Sequence, residues 1–319
     1  MSLPDLKQPF VIGSMNMPVG EVPRVSSSLT RADHWGTFKA RWSVGRMDYT
    51  VEPGLYALNR PTDQSPVLVT ANYKMSFDSL RQALWDFDAW ILVLDTDGIN
   101  VWCAAGKGTF GTDELVARIK SNGLEQIVAH RRLILPQLSG PGIAAFKVKK
   151  LSGFKAVYGP IRAMDLKAFF ENGLKATPAM RKKSFPLWER IVLIPVELVA
   201  ALKPALFVLA FFFVLGGFGG PGDFWTNSLN YDLFAVIALT TAILSGAILT
   251  PILLPYLPGR AFALKGFILG LLTAIILALF RNVDFASWPG RLVIMAWFFL
   301  VPAVSAFVAM NFTGASTYT

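Results

Sequence analysis

The chain changes chemical character near residue 185, and its remainder is dominated by four apolar stretches, near Ile191 to Leu215, Leu233 to Leu254, Ala263 to Phe280 and Leu292 to Met310. Crossing a hydrocarbon core of roughly 30 Å takes about 20 residues of helix, so each stretch is long enough to span a membrane. The first carries Glu197, Lys203, Pro195 and Pro204, and its opening turns can instead lie in the interface as an amphipathic lead-in. Ionisable residues inside spans mark ion and substrate pathways. With Glu197 and Lys203 as the candidates, anchoring or docking is the more economical role than transport.

Orientation follows from Lys and Arg in the short loops. Arg181, Lys182, Lys183 and Arg190 precede the first span, the loop Gly216 to Asn230 has neither residue type, and Arg260 and Lys265 restore the basic signal. Arg281 and Arg291 flank the third loop and weaken the pattern slightly. The polar half is therefore expected in the cytoplasm, the protein being multi-pass in the cytoplasmic membrane. Pro4 and Pro9 interrupt the first ten residues, and no signal peptide is read there. Of the 30 Lys and Arg residues, 25 precede the spans. That excess suits nucleic acid, an acidic partner or an anionic membrane surface, and beside a membrane domain the lipid surface is the default.

The polar half predicts an α/β fold. Strands are expected at Val67 to Ala71, Trp90 to Leu94, Ile127 to Leu135 and Ala156 to Tyr158. Helices are expected from a cap at Ser76 to about Phe87, from Thr112 to about Ser121 with Gly123 beyond, and from Asp165 to Gly173. The alternation implies a parallel sheet covered on both faces, with ligands at the carboxyl ends of its strands. Residues 1–40 read as irregular, residues 41–175 as the α/β domain, 176–190 as a basic linker and 191–319 as the transmembrane domain.

One cysteine in the chain, Cys103, excludes an internal disulfide, a cysteine zinc site and a self-contained iron–sulfur cluster. It lies in Asn100-Val101-Trp102-Cys103-Ala104-Ala105-Gly106-Lys107. Asn100 is a good N-cap, which places Cys103 in the first turn of a short helix. There the helix dipole and a nearby lysine favour the metal-binding thiolate. Ala104, Ala105 and Gly106 leave that helix bare enough for a flat macrocycle to approach. The competing reading is a small buried core residue, the commonest fate of a free cysteine.

Other motifs fare worse. Gly106-Lys107-Gly108-Thr109-Phe110-Gly111 fits G-x-G-x-x-G, but about a dozen residues separate it from the strand ending at Leu94, where the dinucleotide fingerprint begins at once. A P-loop fails because Gly108 follows Lys107. His34 and His130 belong to no spaced zinc-ligand cluster, and no G-x-S-x-G elbow is present.

The stretch from Asn100 to Lys107 resembles the signature of the mercury-methylating corrinoid proteins of the HgcA family. Asp48 to Tyr56, Val67 to Lys74 and Leu135 to Gly142 resemble both that family and the corrinoid domain of the corrinoid iron–sulfur protein. The likeness covers roughly residues 40–175, and a following membrane domain fits the former. It implies a Rossmann-like corrinoid-binding domain followed by an all-α transmembrane domain. A cap helix would present Cys103 to the lower face of the cobalt of a cobalamin-type corrinoid in its methylcobalt form, with the nucleotide tail displaced (base-off). The usual D-x-H-x-x-G is absent, Asp33-His34-Trp35-Gly36 being the sequence around His34. Family members continue with a fifth span, so the end at Asn311 to Thr319 suggests a truncated chain.

The expected activity is methyl transfer to inorganic Hg(II), giving methylmercury. Cys103 is the catalytic and metal-ligating residue, and Asn100, Val101, Trp102, Ala104, Ala105, Gly106 and Lys107 surround the cofactor. Thr70, Asn72, Thr109, Gln137, Ser139, Gly140 and Gly142 are further candidates because they fall at expected strand ends. The partners implied are a ferredoxin of the HgcB type carrying 4Fe-4S clusters, a methyltetrahydrofolate-type methyl donor, Hg(II) and membrane lipid, with no nucleic acid. One alternative keeps the corrinoid and changes the acceptor, making the chain a methyl carrier of one-carbon metabolism. Another is a membrane scaffold with a nucleotide-binding domain.

Overall fold

The computed structural model describes residues 3–218, 222–281 and 286–315. The chain divides into two compact units, one formed by Met1–Ala40 and Val44–Ser184, the other by Arg41–Ser43 and Phe185–Thr319.

The first unit is a seven-stranded sheet in the order β1-β2-β3-β5-β4-β6-β7. Its elements run β1 (Val11–Met17), β2 (Gly20–Val25), α1 (Arg31–Arg41), β3 (Gly54–Leu58), β4 (Val67–Ala71), α2 (Lys74–Ala83), β5 (Ala89–Leu94), α3 (Val101–Lys107), α4 (Thr112–Ser121), β6 (Arg132–Leu135), α5 (Ala145–Ser152), β7 (Lys155–Tyr158) and α6 (Leu166–Glu171). Strands β4, β5, β6 and β7 are mutually parallel, as the alternating pattern requires. The sheet as a whole is mixed, because β3 is antiparallel to β5 and β1 to β2.

Every residue of β3, β4 and β5 is buried. Alternation then assigns each strand to two cores. Trp90, Leu92 and Leu94 join Val67, Val69 and Ala71 beneath α3, α4 and α5, whereas Ala89, Ile91, Val93 and Leu68 meet Phe77, Leu80 and Phe169 of α2 and α6.

Several boundaries depart from the sequence reading. Within residues 1–40, expected to be irregular, lie the hairpin β1–β2 and nearly all of helix α1. Pro18 and Pro23 mask the hairpin's alternation, although Pro23 still pairs across from Ser14. Helix α1 opens with a reciprocal capping box, Thr30 N donating to Asp33 Oδ2 at 2.8 Å and Asp33 N to Thr30 Oγ1 at 3.2 Å. Strand β6 starts at Arg132 rather than Ile127, since Leu124–Gln126 makes a 3-10 turn and Ile127 and Val128 are buried without pairing. A short apolar run does not by itself separate strand from buried loop. Ser76 lies inside α2, which begins after Tyr73, and Gly111 rather than Thr112 stands at the cap of α4.

The second unit comprises α7 (Leu187–Ile191), α8 (Ile194–Gly217), α9 (Phe224–Leu244), a π-helical turn at Ser245–Leu249, α10 (Thr250–Leu253), α11 (Phe262–Phe280) and α12 (Trp288–Ala315). Among the described residues, four helical segments, Leu187–Gly217, Phe224–Leu253, Phe262–Phe280 and Trp288–Thr313, are long and apolar enough to cross a membrane. The expected loop Gly216 to Asn230 is shorter than read, because Asp223 caps α9 through Thr226 N at 3.3 Å. Residues 219–221 and 282–285, in the turns before α9 and α12, and residues 316–319 at the chain end lie outside the described residues.

Small residues set the packing of this unit, as in membranes generally. A Cβ on Gly266 would stand 2.6 Å from Ser305 O, and one on Gly270 2.6 Å from Pro302 Cα, so α11 and α12 touch backbone to backbone. Ser305 Oγ donates to Gly266 O at 2.8 Å. The buried Arg190 donates to the carbonyls of Pro251 and Ile252 at 2.7 and 2.6 Å, capping orphan acceptors that lipid would leave unsatisfied.

Candidate corrinoid site

The parallel strands of the first unit bring their carboxyl ends to one edge. Here β4 connects outward to β5 and β6 to β7 on the other side, which is the switch point where open α/β sheets bind ligands. Helix α3, which follows β5, leans across this edge against the segment after β6.

Asn100 caps α3 as its sequence promises, its side-chain oxygen accepting from Cys103 N at 3.0 Å. Gly108, at φ 89°, closes the helix in the left-handed conformation. Val101, Ala104 and Ala105 are buried and belong to the core beneath the helix. With 100° between successive residues, Trp102, Cys103 and Gly106 fall on the other face. Cys103 is half-buried there, Gly106 and Lys107 are exposed, and nothing lies within 4 Å of where a Cβ on Gly106 would be. The core positions of this helix are thus taken by Val101 and the two alanines, and the thiol sits outside them.

The segment after β6 packs closely on α3. Ser139 is buried and donates from Oγ to Pro136 O at 2.7 Å. Gly142 is where the backbones meet: a Cβ there would lie 2.1 Å from Phe110 O and 3.1 Å from Ala105 Cα. Thr112 Oγ1 accepts from Ala144 N at 2.9 Å, and Tyr158 Oη donates to Ile143 O at 2.6 Å, pinning the far end of the segment. Burial raises the Tyr158 phenol above its ordinary range, so this donor keeps its proton.

Two buried polar atoms at this edge, Thr109 Oγ1 and Gln137 Oε1, have no hydrogen-bond partner among the described residues. Such atoms are costly unless something meets them. They flank α3, one directly after it and one in the segment it leans on. A flat macrocycle rimmed with amide side chains fits this set: a soft sulfur donor, a helix face without side-chain bulk, and two unsatisfied oxygens.

Not every candidate residue gathers here. Thr70 shares the face of Leu68, on the α2 side of the sheet, away from the core under α3. Asn72 is buried, and its side chain is committed to the loop between β5 and α3. Its Oδ1 accepts from Thr96 N, Thr96 Oγ1 and Gly98 N at 3.1, 2.7 and 3.0 Å, and its Nδ2 donates to Asp95 Oδ1 at 3.3 Å. Gly140 is exposed.

A buried ion cluster under α1 escaped sequence reasoning. Lys74 Nζ contacts Asp33 and Asp78 at 2.7 and 2.6 Å, and Arg81 reaches the same two carboxylates at 2.8 Å. Burial opposes the charge on Asp33, but the hydrogen bonds from Lys74 and Thr30 prevail and hold its carboxyl well below the usual range. The i, i+4, i+7 spacing of Lys74, Asp78 and Arg81 was legible as one helix face; its partner Asp33 was not, being 41 residues from Lys74.

Residues 43–165 match the family described as CdhD, CO dehydrogenase/acetyl-CoA synthase delta subunit. The α/β domain is related to that family's proteins. Among curated relatives, the acetyl-CoA decarbonylase/synthase complex subunit gamma of Archaeoglobus fulgidus is 30% identical over 128 residues, covering 40% of this chain and 27% of the relative. The subunit gamma of Methanopyrus kandleri is 34% identical over 125 residues, 38% of this chain and 26% of the relative. The corrinoid/iron-sulfur protein large subunit of Moorella thermoacetica is 28% identical over 121 residues, 37% of this chain and 27% of the relative. The chain thus spans about a quarter of the length of the curated relatives it matches. The family match ends before the first span begins at Leu187.

Proposed function

We propose that this chain is a membrane-anchored corrinoid methyltransferase that passes a methyl group to Hg(II), with the Cys103 thiolate as the residue that would hold the cobalt. The observation that carries the reading is the placement of Cys103 on the uncrowded outer face of α3, at the ligand-binding edge of a domain related to corrinoid/iron-sulfur proteins.

When bound, the corrinoid supplies a cobalt-held methyl group and the redox chemistry of the metal. Cys103 would hold the metal through an anionic sulfur donor, whose electron donation suits methyl transfer to an electrophile. Gly106 and the two alanines would permit close approach of the ring, while Thr109 Oγ1 and Gln137 Oε1 would be available to amide groups of the cofactor. Asn100 fixes the turn that presents the sulfur. Hg(II) is the substrate, and its preference for paired thiolates requires a second protein to deliver it, because Cys103 is the chain's one thiol. The same count assigns low-potential electrons to a separate ferredoxin of the HgcB type, and the methyl group to a methyltetrahydrofolate-type donor system.

A second reading, a corrinoid methyl carrier for another acceptor, draws on the relatives, which are named as subunits of acetyl-CoA decarbonylase/synthase complexes. The deciding experiment reconstitutes the full chain with a corrinoid and compares wild type with Cys103→Ala by cobalt content and ultraviolet–visible spectrum, then assays methyl transfer to Hg(II). Stoichiometric cobalt with a spectrum that changes on loss of the thiol, and methylmercury formed only by wild type, is the expected result. A folded wild type that takes up no corrinoid overturns both readings, and one that binds it without methylating Hg(II) leaves the second.

A further inference from the structure

The amino ends of β4 and β6 border a pocket of about 210 Å³, at the opposite end of the sheet from the candidate corrinoid edge and wholly within the first unit. Its walls are apolar, formed by Val67, Phe87, Ile134, Phe170 and Leu174. Phe87 and Phe170 stack with ring centroids 4.8 Å apart at 11°. After α6 the chain turns back through Gly173 and Leu174, both at φ 62°, with Leu174 N donating to Phe169 O at 3.0 Å. A leucine held in the left-handed region is uncommon and persists only where its surroundings fix it. This turn is what brings Leu174 to the pocket wall. Phe170 and Leu174 also lie beyond residues 43–165, the part of the chain that matches the corrinoid-protein family.

The rim is cationic. Arg132 opens β6 and lines the pocket, and its register partner in β7 is Lys155. Alternation along the strands puts both on the face of Ile134 and Val157, the pocket side, where both are exposed. Like charges directly opposite each other destabilise a sheet. Neither side chain has an ion-pair partner among the described residues, and no Asp or Glu stands between Glu125 and Asp165. Asp63, beside the rim residue Gln64, accepts from Gln64 Nε2 at 3.3 Å instead. His130 is also committed: Nε2 lies 2.9 Å from Ser65 O, which can only accept, so Nε2 carries the proton and Nδ1 accepts from Arg132 N at 3.3 Å. The backbone of Arg132 is thereby fixed while its guanidinium stays available.

A guanidinium pairs with a carboxylate through two parallel N–H donors, and apolar walls with a stacked aromatic pair suit a flat apolar body. We propose that this pocket binds a small aromatic monocarboxylate, its ring against Phe170 and Leu174 and its carboxylate on Arg132 and Lys155. The site is separate from the corrinoid edge, and the proposal stands or falls independently of the methyl-transfer reading.

The test titrates para-fluorobenzoate into the full chain in nanodiscs, read by fluorine NMR against empty nanodiscs, with the neutral para-fluorobenzamide as the paired probe. Wild type is compared with Arg132→Gln, Lys155→Gln and the pocket-filling Leu174→Phe, each checked for fold by circular dichroism. The expected result is saturable binding of the benzoate by wild type, with the benzamide bound about tenfold more weakly, the scale of a charge-assisted pair. Arg132→Gln should weaken the benzoate about tenfold and remove the preference over the benzamide, and Lys155→Gln should weaken it several-fold. Leu174→Phe should abolish binding of both probes. Acetate, which lacks the ring, should displace the benzoate poorly. Absence of saturable binding by folded wild type overturns the proposal. Equal binding of benzoate by folded Arg132→Gln overturns it as well, because the pocket is then an apolar crevice only. Displacement by inorganic phosphate or acetate as effective as by unlabelled benzoate also overturns it, in favour of a surface anion site that ignores the ring. Arg132 and Lys155 are exposed, so their variants decide the matter even if Leu174→Phe fails to fold.

Discussion

The side-chain oxygen of Asn72 accepts both the backbone N–H and the hydroxyl of Thr96, at 3.1 and 2.7 Å. With Gly98 N as a third donor at 3.0 Å, one buried oxygen fixes the loop that leads into α3. Removing a buried acceptor strands its donors at about 1–3 kcal/mol each when no water replaces it. Asn72→Ala is expected to lose about 2–4 kcal/mol of domain stability by denaturant unfolding of the full chain. Faster amide exchange should appear first at Thr96 and Gly98.

Asn100→Ala removes the cap on α3, worth about 1 kcal/mol. The expected outcome is earlier exchange of the Cys103 amide with little change elsewhere. Asn100→Asp retains an acceptor at the positive helix end and should restore protection.

Two glycines at the site separate stability from ligand binding. Gly142→Ala drives a Cβ into the backbone at Phe110 and Ala105 and should destabilise the domain by several kcal/mol, at the severe end for a single change. Gly106→Ala meets nothing within 4 Å and gains helix propensity of up to about 1 kcal/mol. If the outer face of α3 receives the corrinoid, Gly106→Ala keeps or raises the melting temperature while weakening corrinoid uptake. Unchanged uptake would move the cofactor off that face.

The Asp33 cluster sets an acid response. The folded-state value of Asp33 lies below its ordinary 3.8, so its stabilising contribution is present above that pH and is lost as pH falls through the folded value. Asp33→Asn breaks a buried network at a cost of about 3–5 kcal/mol at neutral pH. The variant should also show a shallower loss of stability on acidification, measured by unfolding between pH 6 and the acid limit, roughly the range in which paired carboxylates titrate.

Local chemistry accounts for what was legible in the sequence. The apolar length of the spans, the buried run of β4, the cap at Asn100 and the closing turn at Gly108 depend on residues near one another in the chain. The capping box Thr30-x-x-Asp33 was equally local and would have announced α1 within the segment read as irregular. Prolines at 18 and 23 hid the hairpin for the opposite reason, since they break the donor pattern without breaking the pairing.

Taken alone, the sequence determined a two-part chain, a half whose apolar stretches are long enough to cross a membrane and an α/β half with one thiol at the start of a short helix, because periodicity, capping and span length are properties of neighbouring residues. Only the tertiary structure decided which face of α3 holds Cys103, that Thr70 belongs to the opposite side of the sheet, that Asn72 serves the loop, and that Asp33 closes a charge network on α2. Those outcomes depend on strand order and on contacts spanning tens of residues, where burial and unsatisfied donors, rather than local propensity, determine which side chains meet.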